Sequence, residues 1–455
     1  MHSSETARQL FAKIPRVRWE DLKPATRTER FLYLTVLAFP VAWLAGFGEH
    51  VWLPLSLVAI LHRWPSHRIL APRGFMLWIA FAVLSFAASF DLVIGGDVFG
   101  VHTHLLSTYL AGTILFLYVF NSEADELSDG RLIAAVGLLW VVIVGGGLLA
   151  VPLTGADYAT PGTALMEGVS AEERVIGYTR VQFADLTNPG ADTAQLTGSE
   201  KLRPKTFFSE TNHWGSAFAI LLPAAMMLAA MLVSGRARTL LLAAVALSAI
   251  PLVLSQNRWV WAVLLATLFY AGGRFWRPRV THLGWLILGI AILTAVAWAT
   301  PIGGIVGARI TDSTVDYRQE IYELAIDRIG EAPMLGFGQA IATGDDGYDA
   351  QFLDSRPIGF DSQIINTMIF HGVPAGVLLV AWLLAITMVS RRLSTPIEAV
   401  THFAALAALF HTGFYVIMPH RMVLLMILAA AMYRRRVLDG SYPLSKVTGI
   451  RLRRW

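Results

Sequence analysis

A chain of 455 residues that is 55% hydrophobic and only 15% charged, with a net charge of +4, is too apolar for a soluble globular protein, whose composition averages about 25% charged residues. It has no cysteine, which excludes disulfides across its loops and any thiolate chemistry. The apolar residues gather into blocks of roughly 15 to 22 residues, the length of a helix that crosses a hydrocarbon core of about 30 Å while satisfying its own backbone hydrogen bonds.

In chain order, residues 1–30 form a basic, amphipathic arm with no short apolar core and cleavage site behind it, and read as a cytoplasmic arm, not a removed signal peptide. Apolar blocks follow at 31–46, 51–62, 74–91, 103–120 and 132–151, then at 213–233, 239–255, 259–273 and 282–300, and finally at 362–390, 397–417 and 420–433. The expectation is an all-α, polytopic membrane protein with about 12 transmembrane helices. Spans 1–5 occupy 31–151, spans 6–9 occupy 213–300 and spans 10–12 occupy 362–433. Two long loops, 152–212 and 301–361, separate these groups, and a basic tail closes the chain at 434–455.

Twelve spans put both termini on one side. With that side cytoplasmic, the inner segments hold 25 of the 36 Lys and Arg residues, and the short outer loops hold only Arg258 and Arg421. Positive charge stays inside, so the chain is expected in the plasma (inner) membrane with both long loops outside. The first of these mixes Gly, Thr, Pro and charges and reads as largely irregular. The second contains an amphipathic helix over 313–330, with Ile321, Leu324, Ala325 and Ile329 on one face and Ser313 or Asp312 as its cap.

The residues able to carry chemistry lie at outer membrane boundaries. Arg258 sits in the polar turn Ser255-Gln256-Asn257-Arg258 between two apolar helices. A charge placed there is either functional or a snorkelling anchor beside Trp259 and Trp261. Arg203, Lys205, Glu210 and His213 precede the sixth span as substrate-binding candidates or as ordinary loop polarity, and Phe207, Phe208 and Trp214 suit a membrane interface. Arg318 lies on the polar side of the amphipathic helix, where a solvated charge is the plain alternative. After that helix, Pro333 stops it and Gly336 and Gly338 permit a tight turn. Asp361 opens the tenth span as a helix cap or as a general base. His371, His402 and His411 stand singly on spans without metal-ligand spacing and read as packed or pore-lining.

Four pieces in this order resemble the O-antigen ligase and repeat-unit polymerase superfamily of bacterial membrane glycosyltransferases. They are Arg203-Pro-Lys-Thr-Phe-Phe-Ser-Glu210, Ser255-Gln-Asn-Arg258, the stretch from Arg318 to Gly338, and Asp361-Ser-Gln followed by His371-Gly372-Val-Pro-Ala-Gly376. The chain departs from the ligases in having Asp361 where they place a histidine.

The resemblance implies metal-independent glycosyl transfer, without a cofactor, from a polyprenyl-pyrophosphate-linked glycan to a glycan or lipid acceptor. Arg258 and Arg318 would stabilise the departing pyrophosphate, assisted by Arg203 or Lys205, and Asp361 would deprotonate the acceptor. Three alternatives stay open. One is a polymerase of the same superfamily. Another is a polytopic transporter or lipid exporter, against which charges inside the spans are nearly absent. The third is a non-catalytic membrane scaffold. The basic tails suit anionic lipid headgroups and give no sign of a nucleic-acid partner.

Overall fold

The computed structural model describes residues 14–62, 68–88, 106–168, 176–177, 179–185, 202–275, 314–338 and 362–451. The chain is mostly helical. The helices are α1 (Arg27–Leu44), α2 (Trp52–His62), α3 (Met76–Ala88), α4 (Ala111–Phe120, entered through a π-helical turn at Leu106–Leu110), α5 (Asp129–Leu149) and α6 (Pro161–Glu167). They continue as α7 (Thr211–Met231), α8 (Arg236–Leu247), α9 (Ala249–Leu254), α10 (Arg258–Phe275), α11 (Thr314–Glu331), α12 (Gln363–Ser390), α13 (Pro396–Thr412) and α14 (His420–Leu438). Every predicted apolar block except 282–300, which lies outside the described residues, carries helix. Among the described residues, four stretches are long and apolar enough to cross a membrane: Asp129–Leu149, Thr211–Met231, Arg236–Leu254 and Gln363–Ser390. These apolar helices mark a membrane protein.

The core runs through α5, α7, α12, α13 and α14. It contains Trp140, Trp214, Trp382 and the apolar stretch Met422–Tyr433 of α14, all buried. Exposed large apolar side chains ring this core, Leu34, Leu61, Val83, Leu240 and Leu268 among them. In water such a periphery would be unfavourable; against hydrocarbon it is the expected surface.

The helix ends sort into two groups by their hydrogen bonds. At one end, Val17 bridges Leu232, and β1 (Arg68–Pro72) pairs antiparallel with β6 (Val447–Arg451). There the buried Glu29 carboxylate accepts from Arg131 Nη1 at 2.9 Å and from the Ser128 amide at 2.9 Å. Arg434 donates to the carbonyls of Ser122, Glu123 and Leu127, and Arg436 faces the buried Glu398 at 3.5 Å. The segments that meet here are those read from the sequence as inner.

At the other end, two short antiparallel strand pairs form within the first long loop. They are β2 (Asp157–Tyr158) with β3 (Val181–Gln182), and β4 (Ala184–Asp185) with β5 (Arg203–Pro204). The described parts of this loop are thus more ordered than its composition suggests. Backbone pairing and the cap of α6, where Thr160 accepts from the Thr163 amide, satisfy polar groups that composition cannot reveal.

The amphipathic helix forms where expected, as α11. Leu324, Ala325 and Ile329 of its predicted face pack against Ile365, Ile369 and Phe370 of α12. The side chain of Ile321 lies outside the described residues.

Candidate active site

The turn between α9 and α10 is the centre of the site. Gln256 takes φ +50°, an uncommon conformation for a side-chain-bearing residue, and the turn is buried at Ser255, Gln256 and Asn257. Asn257 caps α10, its Oδ1 accepting from the Val260 amide at 3.1 Å. Its Nδ2 donates to Asn212 Oδ1 at 3.3 Å, which ties the start of α10 to the start of α7. Arg203 reaches the same turn from β5, Nε donating to the Ser255 carbonyl at 3.2 Å.

Arg203, the first turn of α7 behind Glu210, and the turn that carries Arg258 therefore meet, although 54 residues of chain lie between Arg203 and Arg258. Glu210 is the residue that enters α7, and its carbonyl accepts from the amides of His213 and Trp214 at 3.1 and 3.2 Å. Arg258 is half-buried at the first position of α10.

Lys205 and His213 belong to neighbouring interactions. Lys205 Nζ donates to Gln182 Oε1 at 2.6 Å, holding β5 to β3. His213 Nδ1 is hydrogen-bonded to Ser209 Oγ at 2.9 Å.

The aromatic residues of this segment pack against neighbouring helices. Phe207 packs on Trp43 with ring centroids 5.1 Å apart. Phe208 packs on Phe39 at 5.4 Å and lies 5.7 Å beneath the Arg421 guanidinium. Trp214 is fully buried and donates to the Ile143 carbonyl. Burial among helices offers these rings more contact area than a headgroup layer does, and each indole N–H finds a partner inside. Trp259 and Trp261 are half-buried, and their indoles donate to the carbonyls of Phe410 and Leu252 at 3.0 and 3.1 Å.

The C-terminal turn of α13 joins this centre to the start of α12. Trp259, next to Arg258, donates to the Phe410 carbonyl; Ser362, next to Asp361, donates to the Thr412 carbonyl at 3.2 Å. The neighbours of two catalytic candidates are thus moored two residues apart on one helix end. Gln363 strengthens the mooring, its Oε1 accepting from the amides of Ile417 and Met418 at 3.1 and 3.3 Å. Ser362 is the cap of α12, accepting from the Ile365 amide. Asp361, for which a capping role was one expectation, lies outside the described residues, one position ahead of that cap.

A third junction binds α11 to α12. Gly372 breaks α12 with φ +82° and ψ 165°, and the segment after α11 lies against the break. The amides of Phe337, Gly338 and Val373 donate to the carbonyls of Ile369, Phe370 and Pro333, each at 2.8 Å. A Cβ on Gly372 would strike the Met334 carbonyl, and one on Gly336, also at positive φ, would strike the Ile369 carbonyl. The two glycines allow the backbones to touch. His371 beside the break is buried and hydrogen-bonded through Nε2 to Tyr109 at 3.1 Å. His402 is likewise packed, 2.9 Å from Tyr270. Arg318 lies on α11, and its side chain is outside the described residues.

Several contacts at this end were not anticipated from the sequence. Arg421 is fully buried and donates to the carbonyls of Val416 and Met418 at 2.7 and 3.0 Å. Its position as one of two basic residues in the short outer loops was the available signal. Ser362 and Gln363 gave none, because a Ser-Gln pair before an apolar block is common.

Both signs of charge gather at this end, Arg203 and Arg258 together with Glu210 at the entry of α7. The helices α7, α10 and α12 all begin at this end, and helix N-termini carry partial positive charge that favours anions. Arg203 and Arg258 add two guanidinium groups, whose planar forks match phosphate oxygens.

Residues 224–380 match the family model described as O-antigen ligase, and the match supports membership of the O-antigen ligase superfamily. It spans the positions of Arg258, Arg318 and Asp361; Arg203, Lys205, Glu210 and His213 lie ahead of it. No curated protein matches the chain.

Proposed function

We propose, from its place in the O-antigen ligase superfamily, that the chain transfers a glycan from a polyprenyl-pyrophosphate donor to an acceptor hydroxyl at the outer face of the plasma membrane. The observation that carries this reading is the mooring of Arg203 on the Ser255 carbonyl, in the turn that ends at Arg258. It brings two guanidinium-bearing segments together beside the starts of α7 and α10.

In this reading Asp361 takes the proton of the acceptor hydroxyl, and the acceptor oxygen forms a new bond to the anomeric carbon. The bond from that carbon to the pyrophosphate oxygen breaks, and its electron pair leaves with the pyrophosphate. Arg258 and Arg318, assisted by Arg203 and Lys205, stabilise the charge that grows on the leaving group. Groups held in place before the reaction achieve this without reorganisation. Glu210 and His213 line the approach.

The family, with its ligase and polymerase branches, supports transfer of the glycosyltransferase kind. Ligation versus polymerisation is decided by product length. Deleting a ligase leaves full chains unattached, whereas deleting a polymerase leaves single repeat units.

The deciding experiment is to assay Arg258→Ala and Arg318→Ala for polysaccharide assembly in cells that retain normal levels of the folded protein. Loss of the polymer in both supports the reading; normal polymer in both overturns it.

A further inference from the structure

At the opposite end of the bundle, α8 begins on the periphery and buries little of its surface against its neighbours. Only 17% of the apolar window in Arg236–Leu254 is buried, and a cleft of about 560 Å³ opens between α5, α7 and α8. Its walls include Leu138, Leu228 and Leu240, and its mouth is set by Arg18, Glu20 and Arg236. The volume lies within the roughly 300–1,000 Å³ typical of small-molecule sites. Leu138 stands nine residues into α5, so the cleft runs about 13 Å along the helix at ~1.5 Å per residue. Trp19 also lines the mouth, as an amphipathic indole does at headgroup level.

The charge at the mouth is unusual for a helix start. Acidic residues are favourable at the positive end of a helix dipole and basic ones are not. Yet α8 begins Arg236-Ala-Arg238-Thr, with no acid in its first turn, and among the described residues no side chain caps it. Arg18 adds a third guanidinium from the N-terminal arm, which is held in place by the Val17 amide on the Met231 carbonyl at 2.9 Å. The mouth also holds Glu20, which is ion-paired to Lys23, and Arg18 has Asp21 at 3.7 Å. The cleft thus joins an apolar interior to a cationic rim.

We infer that this cleft binds an anionic phospholipid from the leaflet on the side of the N-terminal arm. Its phosphate lies between Arg236, Arg18 and the first-turn amides of α8, and one acyl chain lies between α5, α7 and α8. An open apolar wedge in a bilayer is filled by lipid tails, and the rim selects which headgroup stays. This inference concerns the end opposite the candidate active site and does not depend on the glycosyl-transfer reading.

The test is native mass spectrometry of the full chain released from mixed micelles of phosphatidylglycerol and phosphatidylcholine. The wild type is expected to retain phosphatidylglycerol preferentially. With each membrane-surface arginine contributing about a fivefold factor, R236Q is expected to lower that preference about fivefold, and R18Q/R236Q to abolish it without changing phosphatidylcholine retention. Leu138→Trp, which narrows the cleft, is expected to lower retention of both lipids. Equal retention of the two lipids by the wild type would overturn the proposal, as would an unchanged preference in the double variant. Inorganic phosphate that protects the protein from thermal unfolding as well as phosphatidylglycerol does would also overturn it, since the acyl chain would then add nothing.

Discussion

The two ends of the helical bundle differ in where their buried carboxylates lie. At the end that carries the terminal segments, Arg131 binds the buried Glu29 carboxylate, and Arg436 faces the buried Glu398. At the end that carries the candidate site, Arg203 donates to the Ser255 carbonyl and Arg421 to those of Val416 and Met418. Arginine–carbonyl bonds occur at both ends, since Arg434 also donates to the Ser122, Glu123 and Leu127 carbonyls, but among the described residues the two buried glutamates, Glu29 and Glu398, both stand at the first end. A buried carboxylate that loses its partner is costly, so ion pairing carries stability at that end.

Substitutions at the two ends should therefore separate stability from activity. The largest stability effect is expected for Glu29→Ala, which strands Arg131 and the amides of Ala25, Thr26 and Ser128 that bind the carboxylate. Breaking a buried pair on one side costs about 3 kcal/mol. Thermal unfolding in detergent should show the loss, with product per folded molecule unchanged. If transfer fell while stability held, the division between the ends would be wrong.

Arg258→Ala should do the reverse. Loss of one stabilising donor at a charged leaving group lowers turnover by about 10²–10³-fold, measured as polymer formed from a lipid-linked donor, with the unfolding midpoint nearly unchanged. Gly372→Ala should cost about 1–3 kcal/mol, because it places a side chain at positive φ and against the Met334 carbonyl. Faster limited proteolysis between α11 and α12 would report the undocking. Ser362→Ala, which removes the cap of α12 and its bond to the Thr412 carbonyl, should cost about 1 kcal/mol. A drop in transfer larger than that stability loss would sharpen the comparison, since it would tie the mooring of Asp361 to activity.

Much of the fold was legible because a bilayer leaves few choices. Among the described residues, the apolar blocks are helix at their predicted places, and Leu324, Ala325 and Ile329 face the bundle as their spacing predicted. The polar turn at Ser255–Arg258 was legible from its flanking apolar runs. The destination of the aromatic residues was not. Phe207, Phe208 and Trp214 have the composition of an interfacial belt, and the tertiary structure gives them Trp43, Phe39 and the Ile143 carbonyl as partners. An amphipathic ring satisfies either setting, and only the neighbours decide. The cap of α12 is a similar case: Asp361 and Ser362 are both residue types that cap helices, and Ser362 holds the position.

The amino-acid order alone determined that the chain is helical and apolar, and which polar residues stand at helix ends, because hydrogen-bond closure in hydrocarbon is a local requirement met within each segment. The tertiary structure decided which ends meet. Arg203 found the Ser255 carbonyl across 51 intervening residues, and Pro333–Gly338 found the break at Gly372. Such pairings depend on packing between helices and on close backbone approach, which no local pattern encodes.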